Sequence, residues 1–251
     1  MTRTALAFDH VRKAFGRHVA LDDFTLEVRE GELFGLVGVN GAGKTTLLKC
    51  LLDFAALDSG SIRIFGEPHR TTVARKPLAF LPERFLPPYY LTGADFLRYM
   101  LRLHAAPFSI DRAHDIFDAL DLDRRALDLP VRSFSKGMTQ KLGLAACLLS
   151  HKALYVLDEP TSGLDPKARA LLKRELLALR SRGRTLLMTS HLLADVEQLC
   201  DRMAVLHAGT IRFIGAPGEL LARYDGDNME AAFLACIADE SRISAEKVTR
   251  S

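Results

Sequence analysis

The stretch Gly38-Val39-Asn40-Gly41-Ala42-Gly43-Lys44-Thr45-Thr46 fits the pattern G-x-x-x-x-G-K-[ST]. An apolar run, Leu33-Phe34-Gly35-Leu36-Val37, precedes it and has the length of a buried strand. Good helix formers follow, from Thr46 through Leu52. Strand, glycine loop and helix are the context in which this pattern wraps a polyphosphate. Glycines let successive backbone N–H groups turn toward an anion, and a helix starting near Gly43 aims its positive end at the same place. Gly38, Asn40, Gly41, Gly43 and Thr46 are the expected loop contacts to a nucleoside triphosphate. Lys44 is expected to reach the β- and γ-phosphates, and the Thr45 hydroxyl to ligate Mg²⁺.

Whole-chain properties set the background. The 251 residues are 48% hydrophobic and 26% charged, as in an ordinary globular protein with a real core. Thirty-four basic against 31 acidic side chains leave a net charge of +3, too mild a surplus to indicate nucleic acid or a lipid surface. Cys50, Cys147, Cys200 and Cys236 are scattered without a C-x-x-C pair, as buried thiols of a reduced protein are. The N-terminus has no signal-peptide apolar core. The run from Leu142 to Leu149 is far shorter than the ~20 residues needed to span a bilayer. A cytoplasmic chain is expected.

Outward from the loop, Leu6 to Val11 and Phe24 to Val28 alternate as half-buried strands do. Asp58-Ser59-Gly60-Ser61 reads as a turn before a strand from Ile62 to Phe65. Phe15, beside Gly16, has two readings: a ring stacked on a nucleobase, or a core residue. Leu78 to Leu81 is a buried strand leading to Pro82-Glu83. Next comes a proline- and aromatic-rich loop with Phe85, Pro87, Pro88, Tyr89 and Tyr90, either a contact surface or a staple to its own domain. From Thr92, a helix cap, to about Ser150 the pattern is helical, with a second helix from Asp111 to Leu120. Ser135 is suited to cap the helix that follows, and Gly137 permits close approach to its start.

Ala153 to Leu157 is an apolar strand delivering Asp158 and Glu159 at its C-terminal end, where parallel sheets place ligands. Two adjacent acids there call for a cation. Asp158 is expected to hold Mg²⁺ and Glu159 to deprotonate an attacking water. Thr185 to Thr189 is another strand, ending at His191, which either touches a γ-phosphate or is a plain structural histidine. Strands follow at Met203 to His207 and Ile211 to Ile214, then helices and a charged tail from about Asp239 that is expected to fray.

In order, these pieces resemble the ATP-binding cassette (ABC) ATPase family, from the first strand to about Ile214. The segment Phe134-Ser135-Lys136-Gly137-Met138 resembles the family signature, and it accompanies Leu154 to Glu159, Gly163-Leu164-Asp165 and His191. The resemblance implies an α/β fold: a P-loop NTPase core, an N-terminal antiparallel β subdomain and an inserted α-helical subdomain. On this sequence that means an ATPase domain over 1–225, its helical part at about 86–150, and a short helical tail at 226–251.

It also implies two cassettes stacked head to tail with ATP between them. Phe15 then stacks on adenine, Ser135 and Gly137 contact the γ-phosphate across the dimer, Asp165 couples the two sites, and His191 senses the γ-phosphate. Glu83 stands where the family usually has glutamine. It can still bind Mg²⁺ while adding negative charge, for which Lys136, at another departure from the pattern, could compensate. Both halves of the composite site are in one chain, so the simplest assembly is a C2 homodimer.

The expected function is the ATP-hydrolysing subunit of an exporter, on the inner face of the membrane, driving a separate permease that docks on the Glu83–Leu91 loop and the helical part. A soluble ABC-type ATPase acting on nucleic acid or ribosomes is the alternative. This chain lacks the long coiled coil and the second cassette of such relatives, and no nucleic-acid partner is expected. A non-hydrolysing regulatory module is a third reading, against which Glu159 argues.

Overall fold

The computed structural model describes residues 3–239. The described residues form two compact units, one of those up to Arg75 with those from Thr189 on, the other of residues 76–188.

The first unit opens with β1 (Thr4–Phe15) and β2 (His18–Arg29), both longer than the expected segments and paired antiparallel. Gly16 supplies the positive φ, +59°, that a two-residue hairpin needs at its first central position. Across the pair, the Phe8 and Phe24 rings meet edge to face, 5.5 Å between centroids, in the core of this subdomain. Next come β3 (Leu33–Val37), buried at every residue, and α1 (Lys44–Leu51).

β4 (Ser59–Ile64) then pairs with β1, which corrects the expected turn at Asp58–Ser61. Gly60 is a strand residue with φ +86°, and a Cβ there would come within 2.3 Å of the His10 carbonyl oxygen. Glycine is required at that point by a neighbouring strand. β5 (Glu67–Pro68) completes the sheet in the order β2-β1-β4-β5, and α2 (Thr72–Arg75) follows.

The second unit begins with β6 (Leu78–Leu81) and continues into α3 (Gly93–Leu103), α4 (Ile110–Ala119) and α5 (Lys136–Leu149). Thr92 caps α3 as expected, its hydroxyl accepting from the Asp95 N–H at 3.1 Å. The stretch between α4 and α5 is not α-helical; it holds two short 3₁₀ turns at Arg124–Leu127 and Val131–Ser133. β7 (Leu154–Asp158) is wholly buried and parallel to β6, with Leu81 opposite Leu157. α6 (Pro166–Ser181) and β8 (Thr185–Ser190) follow, β8 lying beside β7. Strands buried on both faces read as continuous apolar runs, which is why β6, β7 and β8 were legible as such.

Back in the first unit are α7 (Leu193–Leu199), β9 (Arg202–His207), β10 (Thr210–Gly215), α8 (Pro217–Tyr224) and α9 (Met229–Ala238). β9 runs parallel to β3, with Gly35 opposite Met203, and antiparallel to β10. α7 packs so closely on β3 that a Cβ on Gly35 would lie 2.9 Å from Cys200 Sγ and from Val196 Cγ1. All four cysteines are buried and form no disulfide. The tail beyond Asp239, expected to fray, lies outside the described residues. Among the described residues no helix is long and apolar enough to cross a membrane.

Candidate functional site

In the first unit, β3 feeds the glycine loop, and each glycine there meets a different demand. Gly38 is packed against β9: a Cβ would sit 2.4 Å from the Leu206 carbonyl oxygen. Gly41 holds φ +82° in open space, so only its dihedral requires glycine. Gly43 has both constraints, φ +116° and the Ala20 carbonyl oxygen 2.5 Å from a would-be Cβ. Backbone bonds then lock the loop: Ala42 N–H to Val39 at 3.1 Å, Gly209 N–H to Ala42 at 3.0 Å, and Asp22 N–H to Gly209 at 3.0 Å. Ala20, Leu206 and Gly209 were not legible as supports of this loop, because they come from segments remote in sequence.

Gly43 is the N-cap of α1, which has no side-chain cap and no acidic residue in its first turn. Its N-terminal N–H groups and dipole are therefore not answered by an anion of that turn. Lys44 is buried, and its Nζ donates to the Gly38 carbonyl and, at 3.4 Å, to that of Val39. The ammonium is thereby folded over the loop. Asn40 and Thr45 are exposed, and Thr46 is half-buried.

Phe15 sits at the tip of the β1–β2 hairpin and is 52% exposed, so the core reading of this residue is set aside. Lys13 Nζ stands over the ring, 5.1 Å from its centroid. His191 is exposed, just past the end of β8. Its neighbour Ser190 accepts the Leu192 N–H at 3.0 Å and so turns the chain into α7.

In the second unit, β7 ends at Asp158, and Glu159 follows it in the left-handed region with φ +49°. The two residues are 5% and 6% exposed. A glutamate at positive φ before Pro160 carries backbone strain of about 1–3 kcal/mol, the kind of distortion that clusters at functional sites. The Ser162 N–H bonds to the Glu159 carbonyl at 3.0 Å and closes the turn. Glu83 is exposed, two residues beyond β6.

Ser135 caps α5, its hydroxyl oxygen accepting the Met138 N–H at 3.2 Å, which leaves its own O–H available as a donor. Gly137, in the first turn of α5, faces the Gly163 carbonyl oxygen, 3.6 Å from a would-be Cβ. Lys136 lies along Gly163, its Cε 3.3 Å from the Cβ position. No ion pair joins Lys136 to Glu83 among the described residues.

Asp165 caps α6 by accepting the Ala168 N–H at 2.9 Å, and that bond holds its carboxyl below the usual range. This unit thus brings Ser135, Lys136 and Gly137 beside the Gly163–Asp165 turn. The aromatic loop divides by residue. Phe85 is stapled inward, its ring edge to face with Phe96 at 5.5 Å, whereas Tyr89 and Tyr90 are exposed and Leu86 is 88% exposed.

Among the described residues no group of three or more His, Cys, Asp or Glu side chains could hold a metal alone. Magnesium ordinarily takes one or two protein oxygens and completes its shell with substrate phosphates and water. The Thr45 hydroxyl and the Asp158 carboxylate are hard oxygen donors of that kind.

A family model described as "ABC transporter" matches residues 21–162. A protein of Paraburkholderia xenovorans named "Nod factor export ATP-binding protein I" is 35% identical, covering 98% of this chain and 85% of that protein. An ABC transporter ATP-binding protein of Nostoc sp. is 39% identical over 81% of this chain and 62% of its own length. A solved structure described as the ATP-binding subunit of an ABC transporter superposes with a TM-score of 0.86 at 27% identity, over 92% of this chain and 99% of that one.

Proposed function

We propose that this chain, which belongs to the ABC transporter family and is an ATP-binding, ATP-hydrolysing subunit of it, drives an exporter whose permease is a separate polypeptide. The observation that carries the export reading is the alignment of 98% of the chain with a relative named as an export ATP-binding protein. The names of the relatives lend no support to the nucleic-acid or ribosome alternative.

In this reading the loop from Gly38 to Thr46 binds the triphosphate. The Lys44 ammonium exchanges loop carbonyls for β- and γ-phosphate oxygens, and Phe15 offers its exposed ring to adenine. Thr45 and Asp158, with Glu83, hold Mg²⁺, which when bound neutralises charge on the phosphates. Glu159 accepts a proton from the attacking water, and His191 hydrogen-bonds the γ-phosphate. The Ser135 O–H and the Gly137 N–H, at the start of α5, serve the nucleotide of a second copy in a C2 homodimer. The Gly163–Asp165 turn beside them couples the two sites.

The membrane path belongs to the partner permease, which recruits the chain to the cytoplasmic face. Exposed Leu86, Tyr89 and Tyr90 supply apolar surface for that contact. The test is affinity capture of the tagged chain from detergent-solubilised native membranes. Capture of a multi-spanning protein in stoichiometric amount, one that alters ATP turnover when reconstituted with the chain, supports the reading. A chain that stays soluble and carries RNA or ribosomal proteins overturns it.

A further inference from the structure

The strand end that carries Phe15 is held by a carboxylate that belongs to none of the expected motifs. Asp58 lies in the segment after α1, the helix of the phosphate loop, 43 positions from Phe15 in the sequence. One carboxylate oxygen accepts the Lys13 ammonium at 3.0 Å, and the other accepts the Ala14 backbone N–H at 2.6 Å. The Asp58 N–H in turn donates to the Arg12 carbonyl at 3.0 Å. Asp58 therefore grips the three residues that lead into Phe15.

A free lysine is a hydrated point charge on a flexible stem, able to swing toward any nearby phosphate. Here the Lys13 side chain is only 14% exposed, and its ammonium is fixed over one face of the aromatic ring. That distance lies within the ~6 Å range of a cation–π contact. With one face taken by a cation and the residue 52% exposed, a base would stack on the opposite face. The Lys13 hydrogen bond and then the Ala14 N–H hold the Asp58 carboxyl below its usual range, so the clamp stays ionised at neutral pH.

We propose that Asp58 and Lys13 are positioning residues for nucleotide binding: the pair clamps the Phe15 ring from behind and ties the base platform to the segment that follows the phosphate-loop helix. This rests on the reading of Phe15 as the adenine platform, and the experiment separates the two. Equilibrium binding of ATP to the full chain is measured by calorimetry, with inorganic tripolyphosphate as a ligand that has no base.

Phe15→Ala should weaken ATP roughly tenfold or more and leave tripolyphosphate unchanged. Lys13→Met and Asp58→Asn should each weaken ATP about three- to tenfold, again without effect on tripolyphosphate. Lys13→Met added to Phe15→Ala should cost nothing further, because the lysine acts through the ring.

Three results would overturn the proposal. Equal weakening of tripolyphosphate by Lys13→Met or Asp58→Asn would mean that they act on the phosphate loop or the fold. Unchanged ATP affinity in both, with Phe15→Ala impaired, would mean that the pair does not position the ring. Unchanged ATP affinity in Phe15→Ala would remove the base-platform reading itself, and the clamp with it.

Discussion

A Cβ on Gly38 would stand 2.4 Å from the carbonyl oxygen of Leu206, so the loop that follows β3 is pressed directly on the backbone of β9. The obstacle is backbone, which cannot rotate away as a flexible side chain would. Gly38→Ala is therefore expected to destabilise the chain by about 1–3 kcal/mol, the cost of overpacking. Gly41→Ala meets no atom and carries only the dihedral penalty, about 1–2 kcal/mol. Urea unfolding of both variants, with ATP binding measured on the folded protein, checks the contrast. Gly38→Ala should lose affinity through displacement of the loop.

Lys44 is held by the carbonyls of Gly38 and Val39, inside the loop it is proposed to serve. Lys44→Ala would remove the proposed charge-assisted bond to phosphate, and ATP affinity should fall roughly ten- to a hundredfold. Calorimetry on the folded variant reads this. Affinity within twofold of the parent chain would detach Lys44 from the phosphates.

Among the described residues Glu83 and Lys136 share no ion pair, and Lys136 lies along Gly163. Any compensation between their charges then acts without a direct ion pair, through space or across the proposed dimer. Glu83→Gln should tighten ATP binding by about two- to fivefold, the scale of an exposed charge interaction. The gain should be larger when Lys136 is also replaced by Met. Equal effects in both backgrounds, measured under conditions that favour the dimer, would end the idea of compensation.

His69 is buried, with Nδ1 bonded to the Ile62 carbonyl at 3.0 Å and Nε2 without a hydrogen-bond partner. The carbonyl can only accept, so Nδ1 carries the proton and Nε2 is bare. Burial pushes this imidazole below its usual range, with the Ile62 bond opposing the shift. A lowered folded value means that the unfolded chain binds more protons. The stability it contributes is present above the unfolded value of about 6.5 and is lost as pH falls through the folded value. The slope cannot exceed about 1.4 kcal/mol per pH unit, the ceiling for one proton. His69→Asn keeps a donor near the Nδ1 position but does not titrate, so its unfolding curves from pH 8 to pH 5 should lack this component.

How much of this was legible depended on how local each signal was. The phosphate loop, the Asp158-Glu159 pair and the Ser135 cap were readable because spacing and residue type within a few positions decide them. Gly60 was misread as a turn because the reason for it lies in the carbonyls of Asp9 and His10 on another strand. α7 was missed because it is seven residues long and has no side-chain cap to announce it. The ends of β1 and β2 were drawn short because alternation fails at their register shifts, between Phe8 and Val11 and beyond. Asp58 was invisible as a partner of Lys13, since 45 positions separate them and no motif joins them.

The account turns on Glu159 as the residue whose carboxylate permits hydrolysis and so releases an ATP-bound pair of chains. The most direct measurement is light scattering on purified Glu159→Gln protein with and without ATP and Mg²⁺, accompanied by its turnover rate. The account predicts a mass that moves from 27.8 kDa to twice that value on adding ATP. It also predicts turnover about 10²–10⁴-fold below the parent chain. A variant that stays monomeric with ATP bound, or that hydrolyses at the parent rate, would contradict it.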